Sequence, residues 1–347
     1  MHRGTISSRS ERTRTVPIDH GEKVPSGPRS SGRRRYRGVV QPFRFAVYSN
    51  DAERADDWTV FARRVEELGY AALYLTDHLN RQLAPTAALA AAAAVTRNLR
   101  IGPYVFANDF RHPLLVAREA ATLDRLSAGR LDLGLGAGWN VSDYRQLGIP
   151  YDRPGVRTDR LVESFGIIRR LLSGEEVTHH GRFYQLDRAR VSPAPVQRPH
   201  PPFILGGGGP RILRMAAREA QIVGFVPQFS ARGRPILRYV AESGLAERVA
   251  IVRRAAGPRF EELELNVFVA DAGVVGGSQP IGPTLRALLR SLGPAAIGGS
   301  AYLLYGTLDQ LHEGMLRRRE KLGISSYGIP ARAMEAFAPL VASLAGS

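Results

Sequence analysis

From Phe43 onward, apolar and polar positions along the chain follow two alternating periods. Short, β-rich apolar runs fall at Phe43–Ser49, Ala71–Leu75, Leu99–Ala107, Leu131–Leu135, Pro202–Leu205, Ile222–Val226, Leu263–Ala270 and Ile324–Ile329. Runs of this length, bounded by turn residues, predict strands. The stretches between them have helical spacing. Asp57–Gly69 places Val60, Phe61, Val65 and Leu68 on one face and stops at Gly69. Pro85–Thr96 is alanine-rich, and Pro113–Leu126 opens with proline in its first turn, where the missing N–H costs nothing. Further helices are predicted over Thr158–Leu172, Arg211–Ala220, Pro235–Ala255, Leu285–Leu292, Leu308–Leu322 and Met334–Leu344.

Eight strands, each followed by a helix, imply a parallel sheet closed into a (β/α)8 TIM barrel. A doubly wound open sheet is the alternative, but no GxGxxG follows the first strand, where a dinucleotide fold needs it. Asn140–Gly155 and Thr178–Pro201 are too long for tight turns. They are expected to be insertions after strand four and before strand five, on the rim that carries function.

Composition narrows the chemistry. The chain has 347 residues, 44% of them hydrophobic, and no cysteine. Disulfides, thiolate metal sites and cysteine nucleophiles are therefore excluded, and no apolar run of membrane-spanning length occurs. The net charge of +16 is unevenly placed. Residues 1–40 hold ten cations and three anions, so +7 of the charge sits there and +9 in the remaining body. Lys23 and Lys321 are the only lysines, so 46 of the 48 cations are arginine, a bias expected of a GC-rich, actinobacterial genome. The Arg-, Ser-, Gly- and Pro-rich segment 1–40 cannot bury enough surface to offset its ordering entropy. It is expected to be a disordered basic extension, or the product of a start codon set too early, preceding a barrel domain over 41–347. Arg33-Arg34-Arg35 lacks the apolar stretch of a secretion signal, so a cytoplasmic protein is expected. A nucleic-acid role for the basic arm is the minority reading.

In a barrel, chemistry gathers just past the C-terminal ends of the strands. Those positions hold Thr76-Asp77-His78, then Ala107-Asn108-Asp109 with Arg111-His112, then Gly136-Ala137-Gly138-Trp139-Asn140, then Gly206-Gly207-Gly208-Gly209-Pro210-Arg211, and Pro227-Gln228. The four glycines end a strand and open a helix. They read as a phosphate seat on the helix N-terminus, strengthened by Arg211, or else as a tight turn. Gly134, Gly136 and Gly138 strip side chains from the end of strand four, leaving either a flat surface for an aromatic ring system or room for close helix packing. Asp77 and His78 read as a base with its orienting acid, as a metal pair or as structural residues. Adjacent strand residues point to opposite faces, so a direct bond between them is not implied. No HxH or HExxH pattern exists, so no metal is expected. His179-His180 has no carboxylate beside it in sequence and reads as surface, and His112 reads as a helix-entry residue.

Six segments match a known family in order: TDHL (76–79), NDFRHP (108–113), REAATLDRLSAGRLDLGLGAGW (118–139), GIPYDRPGVRTDRL (148–161), PVQRPHPPFILGGGGPR (195–211) and GTLDQL (306–311). Together they resemble the luciferase-like monooxygenase superfamily, and within it the actinobacterial, deazaflavin-linked branch that uses coenzyme F420. The resemblance covers roughly residues 41–345. It implies a TIM barrel, usually dimeric, with the cofactor across the strands' C-terminal mouth. By position it assigns Asp77 and His78 to the cofactor-contact pair of strand two, with His78 moving a proton. Tyr104, Val105, Phe106 and Ala107, with Asn108, correspond to the strand-three bulge behind the ring, which often holds a non-proline cis peptide. Ala137 and Gly138, with Trp139 and Asn140, correspond to the strand-four contact. Gly206, Gly207, Gly208 and Gly209 correspond to the phosphate seat, beside which Arg211 is read as a further cofactor contact. Trp139 departs from the sugar-phosphate dehydrogenases of the superfamily, which carry a carboxylate there, so their substrate does not transfer.

The expected activity is an F420-dependent reductase or dehydrogenase acting on an organic substrate, such as a natural-product or modified-peptide intermediate. An FMN-dependent monooxygenase using O2 is the alternative. A Schiff-base aldolase is excluded because neither lysine lies at a strand end. The two insertions are expected to form a lid, with Trp139, Tyr144, Tyr151, Phe183 and Tyr184 lining an apolar pocket.

Overall fold

The computed structural model describes residues 41–49, 57–80, 82–227, 240–275, 286 and 299–347. The basic segment 1–40, Gln228 and the predicted helix Leu285–Leu292 lie outside the described residues, apart from Arg286.

Each predicted barrel strand is present. They are β1 (Arg44–Ser49), β2 (Ala72–Leu75), β3 (Arg100–Pro103) with β4 (Phe106–Ala107), β5 (Leu133–Gly136), β8 (Phe203–Gly207), β9 (Ile222–Phe225), β10 (Glu264–Phe268) and β13 (Ser326–Pro330). They form one parallel sheet in the order β3-β2-β1-β13-β10-β9-β8-β5-β4. β3 and β4 are the two halves of barrel strand three. A parallel bridge from Ile101 to Leu131 ties β3 to the start of strand four, and β4 pairs with β5, so the sheet closes as a TIM barrel. Helices α1 (Trp58–Glu67), α2 (Pro85–Val95), α3 (Pro113–Leu126), α5 (Pro154–Leu172), α6 (Pro210–Glu219), α7 (Glu242–Ala256), α8 (Leu308–Leu322) and α9 (Met334–Leu344) alternate with the strands.

Local chemistry explains most boundaries. Gly69 and Gly323 take positive φ just beyond α1 and α8, and Thr307 with Gln310 forms a capping box that starts α8. His112 caps α3, its Nδ1 accepting from the Leu114 N–H, as its helix-entry position suggested. The inward face of α1 differs from the expectation. Trp58, Phe61, Ala62 and Val65 are buried, whereas Val60 is 60% exposed.

The two insertions have structure of their own. The first contains α4 (Val141–Leu147), and α5 begins at Pro154, four residues earlier than predicted. The second contains an antiparallel hairpin, β6 (Val177–His180) and β7 (Gln185–Ala189). Barrel strand seven leads into another strand rather than straight into a helix: β11 (Asp271–Val274) pairs in parallel with β12 (Leu303–Gly306). Among the described residues, no helix is long and apolar enough to cross a membrane.

The lumen is layered. At the strand N-termini, Arg44 and Arg100 both bind the buried Asp132, Arg44 also binds Glu264, and Tyr74 Oη donates to Asp132 at 2.8 Å. Above this ionic layer, Tyr104 Oη donates to Asn266 Oδ1 at 2.9 Å, and Asn266 Nδ2 donates to Ser326 Oγ at 2.7 Å.

Candidate active site

The floor of the C-terminal mouth is built around barrel strand three, which carries a cis peptide bond at Tyr104–Val105, where the family resemblance places one. The half-buried Val105 side chain then occupies space that the glycines of neighbouring strands leave open. A Cβ on Gly136 would lie 2.5 Å from Val105 Cγ2, one on Gly134 would lie 3.0 Å from Val105 Cγ1, and one on Gly206 would lie 3.2 Å from Val105 Cγ1. The glycine face of strand four is therefore filled, by the Pro103 carbonyl at Gly134 and by Val105 at Gly136, and is not an open shelf. Gly138, at positive φ, is matched to the Tyr144 hydroxyl of α4, so here the glycine serves close helix packing. Val105, Val226 and Phe268 are partly exposed and pack on the buried cluster that includes Tyr48, Tyr74 and Tyr104. Phe268 stacks on Tyr48 at 4.1 Å.

Asp77 and His78 face different partners, as expected for adjacent strand-end residues. Buried Asp77 accepts from the Ala107 N–H at 2.9 Å and from both terminal nitrogens of Arg111, at 2.5 and 3.0 Å. Arg111 in turn lies over the Phe106 ring at 4.5 Å. Asp77 thus braces the strand-three bulge and is not the acid that orients His78. That acid is Asp143 on α4: its Oδ2 lies 2.7 Å from His78 Nδ1, and its Oδ1 accepts from the Leu79 N–H at 3.3 Å. Asp143 is only 1% exposed. A carboxylate only accepts, so Nδ1 carries the proton and Nε2 is left for a ligand. The His78 ring also meets the Trp139 ring edge-on at 5.5 Å.

The other predicted residues have identifiable structural roles. Buried Asn108 donates to Tyr184 Oη at 3.1 Å. Asn140 caps α4 by accepting from the Ser142 N–H at 3.1 Å, and the Ala137 carbonyl accepts from Tyr144 Oη at 3.3 Å. Asp109 accepts from Tyr144 Oη and from Arg160, which also binds Asp152. Tyr144 and Tyr184 are buried, and Phe183 lies against the guanidinium groups of Arg160 and Arg182. Of the five aromatics expected to line a pocket, only Trp139 stands well out into solvent, at 50% exposure. The hairpin packs against α5, where Glu163 receives the N–H groups of Phe183 and Tyr184 and lies 3.1 Å from His179 Nε2. His179 therefore does have a carboxylate beside it, supplied from another element.

The four-glycine run leads into α6, with Gly209 as N-cap and no side chain capping the helix. None of the four takes positive φ. A Cβ on Gly207 would lie 2.7 Å from Ile212 Cγ2, whereas Gly209 has open space around it. Arg211 does not stand free as an anion ligand, because it binds Asp159 of α5. Among the described residues, no group of three or more His, Cys, Asp or Glu side chains is placed to hold a metal.

Asp143 and Arg160 are the site residues that sequence reasoning missed, and Arg111 was placed at a strand end without its role as the partner of Asp77. The available signal was weak: Asp143 lies three residues after the capping Asn140, inside an insertion whose helix is only seven residues long.

Comparison with known proteins agrees with this geometry. The profile of the luciferase-like monooxygenase family matches residues 37–256, and the chain belongs to that family. An F420-dependent glucose-6-phosphate dehydrogenase of Microbacterium testaceum is 34% identical over 169 residues, covering 46% of this chain and 49% of that protein. The chain spans about half the length of the curated relatives it matches. In fold it is similar to the coenzyme F420-dependent tetrahydromethanopterin reductase of Methanopyrus kandleri (TM-score 0.67, 18% identity, 88% of this chain and 99% of that one). It is equally similar to a monooxygenase of Streptomyces bottropensis (TM-score 0.67, 21% identity, 86% and 99%). The barrel fold is thus shared with F420-dependent proteins and with a monooxygenase.

Proposed function

We propose that this protein is an F420-dependent oxidoreductase that transfers a hydride between the deazaflavin and an organic substrate, with His78 moving the accompanying proton. The observation that carries this reading is the His78–Asp143 pair at the barrel mouth, 2.7 Å apart, with the acid buried. Once bound, a deazaflavin supplies the hydride chemistry itself. The chain's residues supply the rest. Val105, Val226 and Phe268 present a partly exposed apolar floor that suits a flat ring and excludes water beneath it. Gly207, Gly208 and Gly209, with the uncapped first turn of α6, offer backbone N–H groups to a phosphate. Arg211 adds less than its charge suggests, because Asp159 already neutralises it. With Nδ1 held, His78 Nε2 takes up or delivers the substrate proton. The F420-dependent dehydrogenase relative supports this reading.

The alternative, an FMN-dependent monooxygenase, draws support from the monooxygenase neighbour. Titration with oxidised F420 and, separately, with FMN, each followed by its own fluorescence, distinguishes the two. Saturable F420 binding is expected. Binding of FMN alone transfers the site to the monooxygenase reading, and binding of neither removes both. The inferred partners are a small-molecule or modified-peptide substrate and a second copy of the chain, the latter tested by sedimentation.

A further inference from the structure

We infer that Asp109 is a positioning residue for the His78–Asp143 pair: its carboxylate accepts the Tyr144 hydroxyl, which seats α4 on the end of barrel strand three and keeps Asp143 against His78. This role rests on the proton-transfer reading of His78 above and adds to it the residue that keeps the pair assembled.

Asp143 reaches the mouth on α4, a helix of seven residues. So short a helix does not persist by its own hydrogen bonds, because the cost of its first turn outweighs the few bonds it gains. Its place must come from contacts with the barrel. Two of its residues are buried, Asp143 and Tyr144. Asp143 meets His78. Tyr144, about 100° further round the helix, meets the frame and is the buried anchor of α4 outside the pair itself. The contact from Gln146 Nε2 to Asn80 Oδ1, at 3.0 Å, is exposed, where water competes for both groups.

Tyr144 is gripped on several sides. Its Oη lies 3.0 Å from Asp109 Oδ2 and 3.3 Å from the Ala137 carbonyl. One hydroxyl proton serves both, and the nearer, charged carboxylate is the stronger acceptor. Burial, and after it the Asp109 charge, push the Tyr144 hydroxyl far above the usual tyrosine range, so it stays protonated and donates. The ring packs edge-on against Phe110 at 5.4 Å and Tyr151 at 4.9 Å. Asp109 is itself held. It sits in the 3-10 turn Asn108–Phe110 directly after β4, its side chain is buried, and Arg160 Nη1 of α5 donates to its Oδ2 at 2.7 Å. Arg160 Nη2 binds Asp152 at 2.5 Å. The Asp109 charge is thus balanced inside the protein while it still accepts from Tyr144. None of its bonds is to His78, so its effect travels through α4.

The Leu79 N–H donates to Asp143 Oδ1 at 3.3 Å and so reports whether Asp143 is in place. Amide hydrogen exchange is followed by NMR on the full chain without cofactor. In Tyr144→Phe the ring remains and Asp109 keeps Arg160. In Asp109→Ala, Arg160 keeps Asp152 and Tyr144 keeps the Ala137 carbonyl. Neither variant strands a buried charge, so both are expected to fold. Each is expected to speed Leu79 exchange about tenfold, the loss of one hydrogen bond to a charged group. Tyr70→Phe is the control, because it removes a buried hydroxyl bond to the Met334 carbonyl on another part of the barrel. It should speed exchange at Leu135 of β5, which follows global opening, and leave Leu79 unchanged. Unchanged Leu79 exchange in either α4 variant, or an equal rise at Leu79 in Tyr70→Phe, overturns the positioning role. If that happens while the wild type binds F420 saturably, the proposed reaction is spared. Tenfold faster Leu79 exchange in both α4 variants of a chain that binds no F420 upholds the positioning role and removes the reaction.

Discussion

Asp143 determines which nitrogen His78 presents. Its replacement by Asn removes the obligate acceptor at Nδ1, so the ring is expected to lose its fixed tautomer, visible in the 15N shifts of the imidazole. Turnover should drop by about 10²-fold or more, as when an orienting carboxylate is lost elsewhere, with F420 affinity unchanged. His78→Ala should lower turnover by roughly 10²–10⁴-fold, and full turnover in that variant would remove His78 from the mechanism. Val105 is the other residue on which the site turns. Gly136→Ala forces a Cβ to within 2.5 Å of Val105 Cγ2, a clash expected to cost about 1–3 kcal/mol. Val105→Ala frees that space, so urea unfolding of the double variant should show a smaller loss than the sum of the singles. His78 and the glycines could be picked out in the sequence because position after a strand is a local property. Asp143 could not, because its partner lies 65 residues away and only folding brings the two together.

At the level of elements, apolar runs gave each barrel strand to within a few residues, but not what their inward positions hold. Arg44 on β1, Asp132 at the foot of β5 and Glu264 on β10 form an ionic layer, which the strand-forming runs do not announce. Burial alone would push the Asp132 carboxyl up, but Arg44 and Arg100 outweigh this and hold it below its usual range. A depressed carboxyl stabilises the fold fully above its ordinary value of 3.8 and loses that contribution as the pH falls through the lower folded value. Asp132→Asn leaves two arginines facing each other, so a loss of about 3–5 kcal/mol is expected in urea unfolding at neutral pH, with the gap from wild type narrowing in acid. The short insertion elements were also missed: α4 spans seven residues, too few for a clear helical period, and the β6–β7 hairpin is only half-buried.

For the whole molecule, one barrel mouth collects residues from four separate strand ends, and a ligand that binds only there must stabilise the closed sheet. F420 at a hundredfold excess over its Kd is expected to add about 2.7 kcal/mol, read as a rise in melting temperature. The sequence by itself determined the βα repeat, the closed parallel sheet and the strand ends at which chemistry collects, because hydrophobic period and glycine placement are set within a few residues along the chain. It also carried the motifs of the luciferase-like family. Only the tertiary structure decided that Asp143 rather than Asp77 orients His78, that Val105 lies against Gly136, and that carboxylates from other elements hold Arg111, Arg160 and Arg211. Those are choices of partner between distant segments. Burial and charge pairing in three dimensions settle them, and spacing along one chain does not encode them.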